Sequence, residues 1–379
     1  MPITAPAYVD HHCHGIVTDD LDRRRLEALF SESHRPHDHG GTQFDKPLGL
    51  MIRKHCAPVL GLEPLAPAEA YVARRQELGG LEASRRLMRA AGTDLLLVDT
   101  GFRSGQITGF AETGALAGCP AREVVRIEAV FEEVAAEAGT AAELVDRFDA
   151  RLRERAAAAA GLKSIVAYRT SFAIPQTAPP RGEVERAAGA WLAQIAAGGR
   201  VRIEDPTLIR HALFKALDLC AERRFPLQLH VGFGDRDVRM PECDPSVFRP
   251  FIESAEALDV PITLLHCWPF VREAAWLAEV YSNVHFDVGV ILNYTGPGAR
   301  AVMHEAMSMG PFHKQLYSSD AFGLAELHHL GRVLFDDALG HVLDRWIADG
   351  DCTAADAERF TAMIAAGNAR RIYRLDEPS

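Results

Sequence analysis

The stretch YVDHHCHGIV, residues 8–17, sets three histidines and a cysteine side by side behind an aspartate. In an extended chain, side chains two apart project to the same side, so His12 and His14 form a pair. Three more residues of the same chemistry close other short apolar runs: His230, His266 and Asp320. Imidazole and carboxylate are the donors that hold zinc, manganese or iron as a divalent ion. A single histidine at a strand end is usually satisfied by a hydrogen bond to its surroundings. Five ligand-type residues at the ends of four separate runs instead predict one shared metal centre. By the same alternation Asp10 points inward with His12 and orients a ligand. His11 and Cys13 alternate to the other side, toward surrounding helices, which makes Cys13 a buried thiol and not a ligand.

The elements that must position these residues are eight short runs of apolar and β-branched composition. They lie at 7–15, 94–101, 123–130, 161–169, 225–232, 261–267, 283–290 and 314–320. Most are continuously apolar, as parallel strands covered on both faces are. Segments of helical composition separate them, for example 140–161 and 205–224; the latter has Asp205 as N-cap and Pro206 in its first turn. Eight alternations predict an α/β fold, a (β/α)8 TIM barrel formed by one domain over 1–379. Two connections are longer than a crossover needs. Residues 18–93 after the first strand read as a helical insertion, and 170–199 after the fourth as a second one. Both leave from the strand ends where barrel enzymes build their sites, so both are expected to wall the substrate.

Substrate-facing candidates follow from the same placement. Tyr168 and Arg169 end the fourth run, and arginine has the fork geometry for a carboxylate; a salt bridge to a neighbouring acid is the competing reading. Glu128 ends the third run, where it can accept from a substrate ammonium or from Arg169. Trp268, directly after His266, is expected to form an apolar wall. Asp235 is expected to serve a turn. His34, His37 and His39 form a loop cluster, read as solvated.

Bulk properties narrow the partners. The formal charge of −11, with acids and bases interleaved, disfavours nucleic acid and anionic membrane surfaces, which need clustered cations. Seven scattered cysteines make no disulfide framework and no CxxC pair, and no leader or membrane span is visible. A cytoplasmic enzyme acting on a small molecule is expected, with a homo-oligomer as the prior.

The pieces VDHHCHGIV, LLVDTGF, GLKSIVAYR, LQLHVGFGDRD, LLHCWPFVREAAWLAEVYSNVHFDVG and YSSDAFGLAELHHLG resemble the amidohydrolase superfamily of metal-dependent hydrolases. More narrowly, they resemble the amidohydrolase domain fused to glutamine-synthetase-like domains in nodulin-like and fungal proteins. The last motif departs from the family's S-x-D-G-[YF]-x-x-P-E, reading SSDAFGLAE here. The resemblance implies His12, His14 and His230 as ligands of Zn²⁺ (or Mn²⁺ or Fe²⁺), with Asp320 completing the site. A metal-activated water would attack the substrate, and Asp320 would carry its proton to the leaving nitrogen. His266 would be a further ligand or a donor to the developing oxyanion. Lys163 matches the lysine that is carbamylated and bridges two ions in binuclear members. The competing reading sets it lower on its strand, paired with a buried acid, which leaves one ion per chain. Glu326 matches the acid of the last motif and would bind an amine. The implied reaction is hydrolysis of a C–N amide bond, by analogy of a γ-glutamyl amide or N-acyl amino acid. The alternative is a metal-dependent decarboxylase or isomerase of a small carboxylate on the same scaffold. His12 lies too near the start for a preceding β-sandwich, so none is expected to flank the barrel.

Overall fold

A computed structural model describes residues 5–35, 41–103 and 105–377. Seven strands form one parallel sheet in sequence order: β1 Val9–Cys13, β2 Leu95–Asp99, β3 Ala121–Arg126, β4 Gly161–Ser164, β5 Leu227–His230, β6 Ile262–Leu265 and β7 Val284–Phe286. Their side chains are almost all buried, which is why the runs are continuously apolar.

The eighth expected run is not a strand. Residues 315–321 hydrogen bond to both edges of the sheet without forming a continuous ladder. Leu316 N donates to Phe286 O on β7 at 2.9 Å, His11 N to Tyr317 O at 3.2 Å and Asp320 N to His12 O at 3.0 Å. Asp320 adopts a φ of 43°, in the left-handed region, which strand pairing does not allow. The sheet therefore curls round on itself through an irregular seam.

Three runs also end earlier than their composition suggests. In 123–130 the strand stops at Arg126, and Ile127, Val130, Phe131 and Val134 then recur at helical spacing along the helix Ile127–Ala135. In 161–169 it stops at Ser164, and a short helix, Val166–Arg169, takes over. In 283–290 a helix begins at Gly289. Glu128, Tyr168 and Arg169 are thus residues of the first helical turns after their strands, not of strand ends.

Helices cover the outer face. Asp205 caps Pro206–Arg223, its carboxylate accepting from Thr207 N and Leu208 N. The chain between β1 and β2 holds helices that include Ala68–Leu78 and Gly80–Ala91, and the chain after the fourth strand holds Arg181–Ala196. At the other end of the sheet, Ala366, Ala369, Ile372 and Tyr373 pack on Val9, Leu95, Leu97, Val124 and Leu316. The C-terminal segment thereby plugs the N-terminal ends of the strands. All seven cysteines are unpaired, and no helix among the described residues is long and apolar enough to cross a membrane.

Candidate metal centre

The pairing of β1 with β2 slips by one residue between Asp10 and Cys13: Asp10 faces Leu96, and Cys13 faces Val98. That extra residue breaks the simple alternation. Asp10 and Cys13 come to share the outer face, where their ligand atoms and that of His328 lie within 4.8 Å of one another. Asp10 accepts there from Ser319 N and Ser319 Oγ at 3.0 and 2.5 Å. His11 and His12 both turn inward, at different depths. The expectation that Asp10 points in and His11 points out is therefore reversed, while Cys13 is buried on the outer face as expected.

His12, His14, His266 and Asp320 converge at the C-terminal ends of the strands. Asp320 Oδ1 lies 3.1 Å from His12 Nε2 and 3.6 Å from His14 Nε2, and its Oδ2 lies 3.7 Å from His266 Nε2. His230 joins through a 2.8 Å contact between its Nδ1 and His266 Nε2. Lys163, in register with Arg126 on β3 and Gln228 on β5, reaches His12 Nε2 at 2.8 Å and Asp99 Oδ2 at 3.2 Å. It pairs with a buried acid and also touches the cluster, so it is not set below it.

Burial drives the protonation states. It pushes His12 down to about 3, with the Lys163 ammonium adding to the effect, and it pushes His230 far below the usual imidazole range. Burial would raise Asp320, but the hydrogen bond and charge of His12 hold its carboxyl well below the ordinary range. Neutral imidazoles around an ionised carboxylate are the states that bind a cation. Three of these rings also keep one nitrogen buried and without a partner: His12 Nδ1, His230 Nε2 and His266 Nδ1. The atoms that face the Asp320 cluster are the other nitrogen of each ring, Nε2 of His12 and His266 and Nδ1 of His230, and these are the ones a divalent ion there would share. The donor set therefore fits such an ion.

Residues that the motifs did not single out hold this cluster in place. Asp99, last in β2, accepts from Arg126 Nη2 at 2.7 Å and from Lys163, and its ligand oxygen lies within 4.8 Å of those of His12 and His14. Burial alone would raise its carboxyl, but Arg126 and Lys163 hold it well below the usual range. Asp287, just after β7, accepts from His266 N at 2.8 Å and Gly289 N at 2.7 Å, and its other oxygen meets His11 Nε2 at 2.8 Å. These bonds fix the backbone at His266, which with Cys267 and Asp320 sits at positive φ. Both acids lie inside the quoted pieces LLVDTGF and NVHFDVG, Asp99 as the last residue of β2 and Asp287 directly after β7, so position at a strand end was the signal for them.

A cavity of about 210 Å³ opens above the cluster, lined by His14, Lys163, His230, His266 and Asp320. Tyr168 and Arg169 line it as expected. Tyr168 packs on His230 with ring centroids 4.1 Å apart, and a Cβ on Gly234 would sit 2.2 Å from the Tyr168 hydroxyl, so only glycine fits there. Asp235, from the same loop, also faces the cavity beyond its turn role.

Three other substrate candidates do not line the cavity. Glu128 is buried and accepts from Ser164 Oγ and Ile165 N, tying off the end of β4. Glu326 is buried against Tyr71 and Arg75, at 2.9 and 2.8 Å, and joins the helix Ala325–Asp349 to the chain between β1 and β2. Trp268 is 39 % exposed, and its ring borders a groove with Arg272 and His304, while Phe233 takes the cavity wall. His34 is exposed, and its ring comes within 4.8 Å of the carboxylates of Asp235 and Asp237 on the cavity wall, which keeps open a contact with the lid beside the solvated reading; His37 and His39 lie outside the described residues.

Comparison with known proteins agrees with this geometry. The chain is 31% identical over 229 residues to the protein fluG of Emericella nidulans, which is 58% of this chain and 26% of that protein. The chain thus spans about a quarter of the curated relative's length. A solved structure from Lactobacillus casei, assigned by name to the metal-dependent hydrolases, superposes with a TM-score of 0.84 at 24% identity, covering 99% of this chain and 96% of its own. A glucuronate isomerase from Caulobacter crescentus superposes at 0.65 with 13% identity, over 98% of this chain and 92% of that one, and shares the fold. The family model described as amidohydrolase matches residues 9–375, and the chain belongs to that family.

Proposed function

We propose that the protein is a metal-dependent hydrolase of a C–N amide bond in a small molecule, held in one domain and acting at the cavity floor. The observation that supports it most is the convergence of His12, His14 and His266 on the two oxygens of Asp320, with His230 beside them, beneath a cavity. His12, His14, His230 and Asp320 would hold the ion. When bound, it would supply Lewis-acid activation of a water and of the substrate carbonyl.

The chain's own residues do the rest. Asp320, ionised and half free of hydrogen bonds, takes the proton from the attacking water and passes it to the leaving nitrogen. His266, held by Asp287 through its backbone, faces the other oxygen of Asp320 from His12 and His14 and is placed to stabilise charge on the carbonyl oxygen. The pairing of Lys163 with Asp99 supports an uncarbamylated amine and one ion per chain. A carbamylated Lys163 would add a second.

Elemental analysis of the purified protein counts the ions; two per chain overturns the single-ion reading. Chelation is expected to abolish turnover, and Zn²⁺ or Mn²⁺ to restore it. A panel of γ-glutamyl amides, other N-acyl amino acids and small carboxylates then reads the products. Amine release supports hydrolysis, whereas CO₂ or an isomer with no amine replaces it with the decarboxylase or isomerase reading.

A further inference from the structure

The cavity walls carry opposite charges whose partners are only partly present. Arg126 ends β3, and Arg169 ends the one-turn helix that follows β4; both line the cavity. Arg126 and Lys163 both pair with the carboxylate of Asp99. Arg126 spends Nε and Nη2 on Asp99, and its Nη1 has no protein partner among the described residues. The Arg169 side chain is only 8% exposed; its Nη2 donates to Glu132 at 2.9 Å, while its Nε is buried with nothing to donate to.

Glu32, in the chain between β1 and β2, also lines the cavity. Tyr294, in the helix Gly289–Thr295 after β7, donates to Glu32 Oε1 at 2.9 Å. Phe233, with its ring centroid 4.8 Å from that of Tyr294, brings the loop after β5 to the same place, and with it Asp235. Neither Glu32 nor Asp235 has a lysine, arginine or histidine nitrogen within salt-bridge distance among the described residues. Arg202, the other cation of the wall, is engaged by Asp237 and Glu204. Lys46 lies over the Tyr294 ring, 5.1 Å from its centroid, and donates a hydrogen bond to Phe30 O.

We propose that the cavity is built for a bipolar amide, with a carboxylate held by Arg126 and Arg169 and an ammonium held by Glu32 and Asp235, as in a dipeptide-like molecule. This rests on the hydrolase reading and deepens it. The carboxylate satisfies the stranded Arg169 Nε and the free Arg126 Nη1 by charge-assisted bonds. The ammonium neutralises two facing carboxylates that otherwise repel each other; burial, with Asp235 and Asp320 nearby, already pushes Glu32 up to about 7. Between the two poles the amide lies over Asp320. A cavity of about 210 Å³ is below the usual size of a drug-like pocket and suits so small a molecule.

Ligand-observed NMR on the zinc-loaded protein measures binding whether or not the ligand is cleaved. The probes are alanyl-alanine, N-acetylalanyl-alanine without the ammonium, and alanyl-alaninamide without the carboxylate. Alanyl-alanine is expected to bind at least about tenfold more tightly than either blocked form. Glu32→Gln is expected to remove the preference over the N-acetyl form and keep that over the amide; Arg169→Met is expected to do the reverse. Equal binding of the three probes, no binding of any, or ratios unmoved by both variants overturns the proposal. If alanyl-alanine binds with the expected ratios but releases no alanine, the bipolar site stands and the hydrolase reading falls.

Discussion

His11 and His12 are neighbours in sequence, both are buried, and both face the inside of the curled sheet, yet they belong to regions of opposite character. His11 lies on the floor side: Nδ1 meets the Tyr373 hydroxyl at 3.0 Å, Nε2 meets Asp287 at 2.8 Å, and Gln228 donates to its carbonyl. Around it are Val9, Leu97, Ile372 and the rest of the apolar plug. His12 lies on the rim side, with Nδ1 bare and Nε2 crowded by Lys163 and Asp320. The rim also holds the left-handed residues His266, Cys267 and Asp320, each a cost of about 1–3 kcal/mol. The floor spends both ring nitrogens of His11 on the fold. The rim leaves its own unspent, at the expense of stability, and that is what a binding site requires.

The largest test of this contrast pairs one residue from each region. Asp320→Asn is expected to lose about 10²–10⁴ in turnover at a modest cost in melting temperature, because the depressed carboxyl marks a charge that the surrounding histidines stabilise. Near-normal turnover would remove Asp320 from proton transfer. His11→Asn is expected to do the opposite. It strips Asp287 of its buried partner and costs about 3–5 kcal/mol in denaturant unfolding, while metal content per folded chain stays the same. Loss of metal without loss of stability would place His11 on the rim after all.

These two residues also show what was legible in the sequence. The rim cluster was, because His12, His14, His230, His266 and Asp320 each close an apolar run, and parallel strands end their runs at one face of the sheet. The assignment of Asp10 and His11 failed because one extra residue in β1 leaves no mark on a run that is buried throughout. Period-two reasoning needs a polar face to reveal a slip, and here there is none. Glu128 and Glu326 were misplaced for a different reason. Acids near strand ends look alike in sequence, but Glu128 is taken by Ser164 and Ile165, and Glu326 by Tyr71 and Arg75, partners 36 or more residues away. Tyr168 and Arg169 reached the cavity despite lying on a helix, since that helix is only one turn long.

A smaller effect sharpens the floor half of the comparison. Leu97 is fully buried in the apolar cluster that the C-terminal segment closes. Leu97→Ala is expected to cost about 2–5 kcal/mol of stability, read as a lower urea midpoint, with the kinetic constants of the folded protein unchanged. A change in KM at constant stability would mean that floor and rim are mechanically coupled and not merely stacked.

The smallest expected effect lies outside both regions and sets the baseline for them. Asp205 caps the outer helix Pro206–Arg223 through Thr207 N and Leu208 N, at 2.8 and 3.1 Å, and Pro206 occupies the first turn, where no amide is needed. In Asp205→Ala two amides lose their acceptor and the helix N-terminus loses an anion, but both amides lie near solvent and water can replace the carboxylate. The cost is therefore about 1 kcal/mol in thermal or urea unfolding, with turnover and metal content unaltered. The helix packs its buried leucines against the sheet from outside, and its N-cap faces neither His11 nor Asp320. If so remote a change moved KM or metal content, the effects of Asp320→Asn and His11→Asn could no longer be assigned to the rim and the floor. The contrast between the two neighbouring histidines depends on this third position being silent in activity.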